Sequence, residues 1–526
     1  RWGRVVEGAG EDPYLGSVMA AAQVRGYQGD NLSSPDALLA TAKHFAAYGG
    51  AEAGRDYNIV SISERDLWSI YFPPFRAALR AGVGSVMASF NEINGTPSHA
   101  NDWLLTDILR KEWKFRGIVV SDWTGIPELI QHGLGDDVTV ATRALRAGVD
   151  MEMSSTLYRD KLGAEVRAGR LQTAIVDTAV HRVLRLKATL GLFDDPYRGA
   201  SAERERRDIL TAEHRAAARE IAGEAIVLLT NKTVGTSTAL PLRRDLRTLA
   251  VIGALAVDSN SVLGAWHGIG RKEDAVSVLD GLRRALPNVS VGYAAGVPLD
   301  TVRIEGPVNT PGIAEAEQLA RSADAVILVL GEIEQMSGEA ASRTSVELPG
   351  AQLQLAQAVV RAARASSPTK LVIAVLMNGR PLAVQWLADS TSAMVESWHL
   401  GVEHGNALAD ILLGDRTPSG KLPITFPRVT GQVPIYYSHK NTGRPSSEAQ
   451  KWNSRYIDAP FTPLFPFGHG LSYTTFGYTN LRVSRSTLRG TDSLNVTVDV
   501  SNTGARAGTE VAQLYLRDDA ASVTRP

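Results

Sequence analysis

The sequence contains no cysteine, and this absence excludes disulfides, thiolate metal sites and cysteine nucleophiles. It also lacks a charge imbalance, since 55 Lys and Arg residues against 56 Asp and Glu residues give a formal net charge of -1. A nucleic-acid-binding protein is expected to carry a basic excess or a basic stripe, so we predict no nucleic-acid partner. No apolar run approaches the length of a transmembrane helix, and we predict no membrane span.

Sequence motifs for bound cofactors and metals are missing as well. The strand-like "LAVIGALAVDSNS" is followed by neither of the glycine-rich phosphate-binding motifs, and the ten His residues show no ligand spacing. The G-x-S-x-G turn of the serine hydrolases is absent too. These absences favour chemistry performed by ordinary side chains, without a cofactor and without a metal.

Residues 1–195 show a repeated alternation of short apolar runs and helical patterns. The apolar runs predict strands at 41–49, 82–90, 117–123 and 147–153, and helices are predicted between them at 63–82, 101–113 and 136–148. Asn101 and Asp136 are good helix starters, and Gly148 is a helix stop. Such strands predict a parallel sheet covered by helices, either a (β/α)8 barrel or a doubly wound sheet. Polar residues fall at the predicted strand ends, which favours the barrel because a barrel collects its active site at that face.

The remainder of the chain predicts further domains, so the expected fold class is α/β and multidomain. Residues 196–208 are predicted to be a charged linker, 209–430 an α/β sandwich with a parallel sheet, and 431–477 a segment that wraps the domains together. Alternating strands at 493–504 and 509–518 predict a partial β-sandwich of the fibronectin or immunoglobulin type over 478–526.

Asp122 lies at the end of the apolar run "GIVVSDW", where a buried strand would hold its carboxylate in place. Trp123 beside it offers a flat apolar face on which a sugar ring could stack. The competing interpretation is a helix N-cap, because Asp is a favoured helix starter and "SDWTGIPEL" could begin the next helix. The sequence at this point leaves the two interpretations about even.

Lys43 and His44 end an earlier predicted strand, where burying both would cost several kcal/mol without polar partners. A polyol ligand could supply those partners, and so could a neighbouring carboxylate such as Glu7. Arg4 has the same ambiguity, because an Arg beside Glu7 is most often a salt bridge. Only the convergence of Arg4, Lys43 and His44 on one barrel face would make sugar binding the better account.

Glycoside hydrolysis needs a second acid to protonate the leaving oxygen. Glu339 is the candidate, because it lies in a polar loop just past the predicted strand "DAVILVLGE", where a parallel sheet places ligand-facing residues. Glu332, Glu334 and Glu347 are rivals in the same stretch, and a loop acid can equally be a solvated charge. The pattern alone does not choose among the four.

Eight blocks of the sequence, in order, resemble those of the glycoside hydrolase family 3 β-glucosidases, and they span nearly the whole chain. The resemblance is greatest to the bacterial periplasmic or secreted members. The blocks are "RWGRVVEGAGEDPYLGS", "AKHFAAYGGAEAGRDYN", "VMASFNEINGTP", "GIVVSDW", "AGVDMEM", "SGEAASRT", "GDRTPSGKLPITFP" and "FPFGHGLSYTTF".

The resemblance implies a barrel, an α/β sandwich and a fibronectin-like domain, with the active site between the first two. It implies that Asp122 is the nucleophile, and it selects Glu339, four residues before Arg343, as the acid/base. Arg4, Lys43 and His44 match residues that hold sugar hydroxyls, whereas Met87 and Trp123 match residues that line the pocket. The run "KHFAAYG" differs from the "KHFPGHG"-like run of the N-acetylglucosaminidase group, which argues against that activity.

From these residues we predict a retaining, exo-acting β-glucosidase that takes a β-glucoside or oligosaccharide. The alternatives are a β-xylosidase or glucan exohydrolase of the same family, or a catalytically inactive sugar-binding protein. The resemblance also implies a periplasmic or secreted location, and we consider a homodimer. Family members carry the first barrel strands and a sugar-gripping Asp ahead of the "RWGR" block, so we expect these to precede Arg1 in the parent protein.

Overall fold

The computed structural model describes residues 1–299 and 311–525, and these form two compact units. Unit 1 comprises Arg1–Ile209 together with the short segment Glu339–Arg343, and unit 2 comprises Leu210–Gly338 and Thr344–Pro526. The ranges predicted for the α/β sandwich and the last domain include residues 300–310 and 526, which lie outside the described residues. The fold is therefore α/β with more than one unit, and each unit has its own core.

Unit 1 contains a parallel sheet whose strand order is β1-β2-β5-β6. Its strands are β1 (Thr41–Phe45), β2 (Ser85–Ala88), β3 (Glu92–Ile93), β4 (Thr96–Pro97), β5 (Ile118–Trp123) and β6 (Met151–Met153), of which β3 and β4 form a separate antiparallel pair. Its helices are α1 (Pro13–Gln28), α2 (Glu64–Asp66), α3 (Phe72–Arg80), α4 (Asp137–Ala147), α5 (Leu157–Arg167), α6 (Thr173–Thr189) and α7 (Ala202–Asp208). Two π-helical stretches, Leu67–Tyr71 and Trp103–Glu112, occupy the remaining predicted helical segments.

The predicted helix boundaries of unit 1 are confirmed by their side-chain contacts. The Asp136 carboxylate accepts a hydrogen bond from the Thr139 amide at the start of α4, and Gly148 ends that helix in the left-handed conformation at φ 116°. The Asn101 side chain accepts from the Leu104 amide at 3.0 Å. Each contact satisfies a backbone group that a helix end would otherwise leave unpaired.

Unit 2 is built on a six-stranded sheet of order β11-β10-β12-β13-β14-β7. Its strands are β7 (Val227–Asn231), β10 (Thr248–Ile252), β11 (Ser290–Ala294), β12 (Ala325–Gly331), β13 (Leu371–Met377) and β14 (Ala393–Glu396), with β8 (Thr233–Val234) and β9 (Ser237–Thr238) as a separate hairpin. The prediction of an all-parallel sheet was wrong for β7, which pairs antiparallel with β14. An apolar run has the same composition in either direction, so the direction could not be read from it.

Helices cover both faces of this sheet, and each face has its own apolar core. Consecutive strand residues such as Val251 and Ile252 belong to opposite cores, as the two-residue repeat of a strand requires. The first core includes residues of α8 (Ala212–Ala225), α9 (Val278–Ala285) and α13 (His404–Leu413). The second includes residues of α10 (Pro311–Ser322), α11 (Gln352–Ser366) and α12 (Gln385–Ser390).

The last described strands are an antiparallel pair, β15 (Phe476–Val483) and β16 (Val496–Asn502). The strand predicted at 493–504 is confirmed as β16, whereas the strand predicted at 509–518 was wrong, since these residues are irregular. They pair with no neighbouring strand, and a strand needs a hydrogen-bonded partner to persist.

Candidate active site

Strand β5 delivers Asp122 to the site, and the side chain is buried with 7% of the residue exposed. Its backbone N–H donates to Nε2 of His99 at 3.0 Å, and its Oδ1 accepts from the Trp123 amide at 2.8 Å. Its Oδ2 accepts no hydrogen bond from the described residues and lies 3.5 Å from Nε2 of His44. No helix begins at Asp122, since the next helical turn is Pro127–Ile130, so the N-cap interpretation was wrong.

The electrostatic setting of Asp122 is a balance between burial and nearby cations. Burial raises the pKa of Asp122, while the Trp123 amide and the charges of Arg4 and Lys43 act in the opposite direction. The charge of Glu339 raises it further. Desolvation is the larger effect, so the net direction of the shift is upward.

Arg4 lies in a short 3-10 helix, Gly3–Glu7, and its side chain is 2% exposed. The predicted ion pair with Glu7 is present and bidentate, at 2.8 Å from Nε and 3.0 Å from Nη2. The same guanidinium also reaches Glu339 Oε1 at 3.3 Å and His44 Nε2 at 3.0 Å. Burial opposes the charged form, but the hydrogen bond and charge of Glu7 and the charge of Glu339 raise the pKa of Arg4, which stays cationic.

His44 and Lys43 lie on β1, as predicted, but only His44 is enclosed. The His44 side chain is 7% exposed, whereas Lys43 is exposed, so the expectation that both are buried was wrong for Lys43. Burial and the charges of Arg4 and Lys43 lower the pKa of His44 to about 2. His44 is therefore neutral and contacts Arg4 and Asp122 rather than Glu7.

Glu339 belongs to unit 1, together with Asp122, whereas its three rivals belong to unit 2. Glu339 accepts a hydrogen bond from the Tyr57 hydroxyl at 2.7 Å and keeps 27% of its side chain exposed. Glu332 is fully buried and pairs with Arg380 at 3.0 Å. Glu334 accepts from Asn260 and Ser261, and Glu347 is exposed.

Asp122 and Glu339 are thus linked through Arg4 and His44 by contacts of 3.3, 3.0 and 3.5 Å. The Tyr48 ring lies against this connection, with the Arg4 guanidinium 5.4 Å from the ring centroid. Asp122 contacts the neutral His44 ring, His44 contacts Arg4, and Arg4 contacts Glu339, so the two carboxylates belong to one connected polar cluster.

The two predicted pocket-lining residues lie beside this group. Met87 is a half-buried residue of β2 and pairs with Val120, two residues before Asp122. Trp123 is 65% exposed, which leaves its ring available to a ligand. Their contact with a sugar stays a prediction.

Sequence reasoning missed three residues, of which two contact the acids and one contacts the residue after Glu339. His99 supports the Asp122 backbone, Tyr57 donates to Glu339, and Asp56 accepts from the Ala340 amide at 2.8 Å. Asp56 and Tyr57 fall inside the family-like "GRDYN" run, so that block was the available signal. His99 gave none, since an isolated His beside a predicted helix start has many structural uses.

In the described residues, no cluster of three or more His, Cys, Asp or Glu side chains could hold a metal ion. None of the described helices is long and apolar enough to cross a bilayer. The site consists of acids, one guanidinium, one ammonium, neutral imidazoles and aromatic rings.

Comparison with known proteins gives matches over most of the chain. The glycosyl hydrolase family 3 N terminal domain matches residues 1–186, and the glycosyl hydrolase family 3 C-terminal domain matches residues 226–473. A periplasmic β-glucosidase of Salmonella typhimurium is 42% identical over 100% of this chain and 70% of its own length. A β-xylosidase of Formosa agariphila is 38% identical over 100% of this chain and 72% of its own length.

A solved structure is similarly close. The β-glucosidase of Listeria innocua in complex with glucose has a TM-score of 0.90 and 40% identity, covering 100% of this chain and 70% of that one. The two family matches together cover more than half of the chain and include both candidate acids. The chain therefore belongs to glycosyl hydrolase family 3 and is a glycoside hydrolase.

Proposed function

We propose that this chain is a retaining, exo-acting β-glucosidase in which Asp122 is the nucleophile and Glu339 the acid/base. The observation that carries the proposal is the linkage of these two carboxylates through Arg4 and His44 within unit 1. A retaining glycosidase needs two carboxyl groups about 5–5.5 Å apart across the scissile bond. The β-glucosidase names of the Salmonella and Listeria relatives support glucose as the terminal sugar.

In the first step Asp122 Oδ2 attacks the anomeric carbon, and the bond from that carbon to the leaving oxygen breaks. Oδ2 suits this role because it is buried without a hydrogen-bond donor, whereas Oδ1 is held by the Trp123 amide. A poorly solvated carboxylate oxygen has little hydration to lose on attack, and Arg4 and Lys43 stabilise its negative charge.

Glu339 protonates the leaving oxygen in that step and then, as a carboxylate, takes a proton from the water that releases the sugar. In the free site Arg4 and Tyr57 both contact its Oε1. Sugar hydroxyls would compete with Glu339 for the Arg4 guanidinium once substrate is bound.

The remaining site residues would hold the terminal sugar. Arg4, Lys43 and neutral His44 supply hydrogen-bonding groups for its hydroxyls, while Met87 and the exposed Trp123 ring supply apolar surface. A β-xylosidase is the second candidate, because the Formosa relative carries that name and a xyloside differs only in lacking the C6 group.

The finer architecture is part of the same proposal. The parallel β1-β2-β5-β6 sheet fits one portion of a (β/α)8 barrel, and the β15–β16 pair fits part of a fibronectin-like domain. We also propose the domain ranges 1–195, 209–430 and 478–526, joined by segments 196–208 and 431–477, and a periplasmic or secreted location. The homodimer stays a prediction that light scattering of the purified chain tests.

The test compares hydrolysis of aryl β-glucoside, xyloside, galactoside and N-acetylglucosaminide by the wild type. The glucoside should give the highest kcat/KM. A higher kcat/KM for the xyloside would show that the enzyme is a β-xylosidase instead.

The roles of the two acids are tested with Asp122→Ala and Glu339→Ala, using the exposed acids Asp102 and Glu112 as Asn and Gln controls. Both site variants should lose at least about 10³-fold in kcat, with the controls unchanged. Azide should rescue Asp122→Ala to the α-glucosyl azide and Glu339→Ala to the β-glucosyl azide, because it replaces the nucleophile in one and water in the other. An unchanged rate in Asp122→Ala would require another nucleophile, whereas no hydrolysis by the wild type would leave the inactive sugar-binding alternative.

A further inference from the structure

Two consecutive residues of unit 1, Asp56 and Tyr57, hydrogen-bond to the segment that carries Glu339. We infer that this pair positions the acid/base: Asp56 fixes the backbone next to Glu339, and Tyr57 aims its carboxyl group. The inference rests on the proposed function of Glu339 and adds two positioning residues to it.

Asp56 contacts the Glu339 segment through both its side chain and its backbone. Its Oδ2 accepts from the Ala340 amide at 2.8 Å, and its own amide donates to the Ser342 hydroxyl at 2.9 Å. Its Oδ1 accepts from Trp2 Nε1 at 3.0 Å, which holds the carboxylate in place. Ala340 has φ 56°, a conformation that is costly for a residue with a Cβ and that persists only where surrounding contacts impose it.

Tyr57 completes the arrangement through its hydroxyl, 2.7 Å from Glu339 Oε1. Its ring packs edge-on against Phe90 at 5.3 Å, and this contact supports the ring on one side. Burial, the hydrogen bond to Glu339 and the charge of Glu339 raise the pKa of Tyr57, so its hydroxyl stays protonated and donates. Arg4 contacts the same oxygen, and Oε2 is therefore the oxygen that carries the catalytic proton.

A misplaced general acid slows substrates with poor leaving groups more than substrates with good ones. This difference in rate loss distinguishes a positioning defect from a general loss of activity. A dinitrophenolate leaves without protonation, so its glucoside needs the nucleophile but hardly the acid. A phenolate leaves poorly unless it is protonated, and correctly placed general acids contribute about 10²–10⁴-fold. Loss of the aiming contact should therefore slow the phenyl glucoside selectively.

The experiment measures kcat and KM of Tyr57→Phe and Asp56→Asn on 2,4-dinitrophenyl and phenyl β-glucoside. Tyr14→Phe is the matched control, since Tyr14 is 78% exposed on α1. We expect Tyr57→Phe to lose about tenfold in kcat/KM, which reports only the steps up to departure of the phenolate, on the phenyl glucoside, the size of one hydrogen bond to a charged group, and less than about twofold on the other. Asp56→Asn should show the same selectivity with a larger loss, because its amide cannot accept from both Ala340 and Trp2. Tyr14→Phe should change neither rate.

Equal losses on both substrates, or no loss on either, in a Tyr57→Phe protein that unfolds like the wild type would overturn the inference. Glu339→Gln is measured in the same series to separate this failure from that of the proposed function. If Glu339→Gln shows the selective loss and Tyr57→Phe does not, only the positioning role is lost. If Glu339→Gln shows no selective loss, the acid/base assignment itself fails.

Discussion

His99 supports the candidate nucleophile, and its burial makes that support sensitive to pH. Its Nε2 accepts the Asp122 amide hydrogen at 3.0 Å, and only 2% of the residue is exposed. An acceptor nitrogen carries no proton, so the hydrogen bond requires neutral imidazole. Burial, with a smaller effect of the charge of His132, lowers the pKa of His99 from 6.5 to about 3.

The stability change follows from these two values. Below pH 6.5 the unfolded chain binds a proton at His99 and the folded chain does not, so the folded state loses stability as the pH falls. The loss continues down to about pH 3, at about 1.4 kcal/mol for each pH unit. At pH 5.0 this amounts to about 2 kcal/mol relative to pH 7.5.

The assay is urea unfolding of the wild type and His99→Gln at pH 7.5 and pH 5.0. Gln keeps an acceptor oxygen but does not titrate, so the stability advantage of the wild type should shrink by about 2 kcal/mol between the two pH values. His181→Gln, an exposed replacement in the same unit, should differ from the wild type equally at both. A wild-type advantage over His99→Gln that is the same at pH 7.5 and pH 5.0 would refute the reasoning.

Two further predictions concern packing and charge in the same unit. Arg4→Met should lower the free energy of unfolding by about 3–5 kcal/mol, because it leaves the carboxylates of Glu7 and Glu339 without their buried cation. Urea unfolding at neutral pH measures this loss, and a value below about 1 kcal/mol would contradict the prediction. Gly125→Ala should cost about 1–3 kcal/mol, because the added Cβ would overlap the His99 ring. Thermal unfolding measures that change, with the open helical position Gly26 changed to Ala as a comparison that meets no neighbouring atom. A Gly125→Ala variant that unfolds at the wild-type temperature or above would show that the ring moves aside.

Some positions could be predicted from local sequence because their signals are local. Asp136 and Gly148 bound α4 through contacts made within one helical turn, and such contacts depend on residue type and spacing. Strands β5 and β12 were predicted as apolar runs because they are buried, and burial selects composition directly. The direction of β7 was predicted wrongly, because a run of apolar side chains has the same composition in a parallel and in an antiparallel strand.

The two candidate acids differ in how far the sequence could identify them. Asp122 could be proposed from the sequence because it ends a buried strand, but the choice between active-site acid and helix cap needed the observed backbone. Glu339 could be selected only through the family-like "SGEAASRT" block, since its rivals have the same chemistry and lie within a few residues. The unit boundaries then separate it from Glu332 and Glu334, which are engaged in contacts of unit 2.

The sequence by itself determined the alternation of strands and helices, the absence of cysteine chemistry and the family blocks that contain the site residues. The tertiary structure alone decided that Tyr57 and Asp56 hydrogen-bond to the Glu339 segment and that His99 accepts a hydrogen bond from the Asp122 amide. These contacts join residues far apart in the chain, and no local propensity encodes them. They exist because folding brings polar groups together where water is excluded, and each buried donor or acceptor must then find a partner.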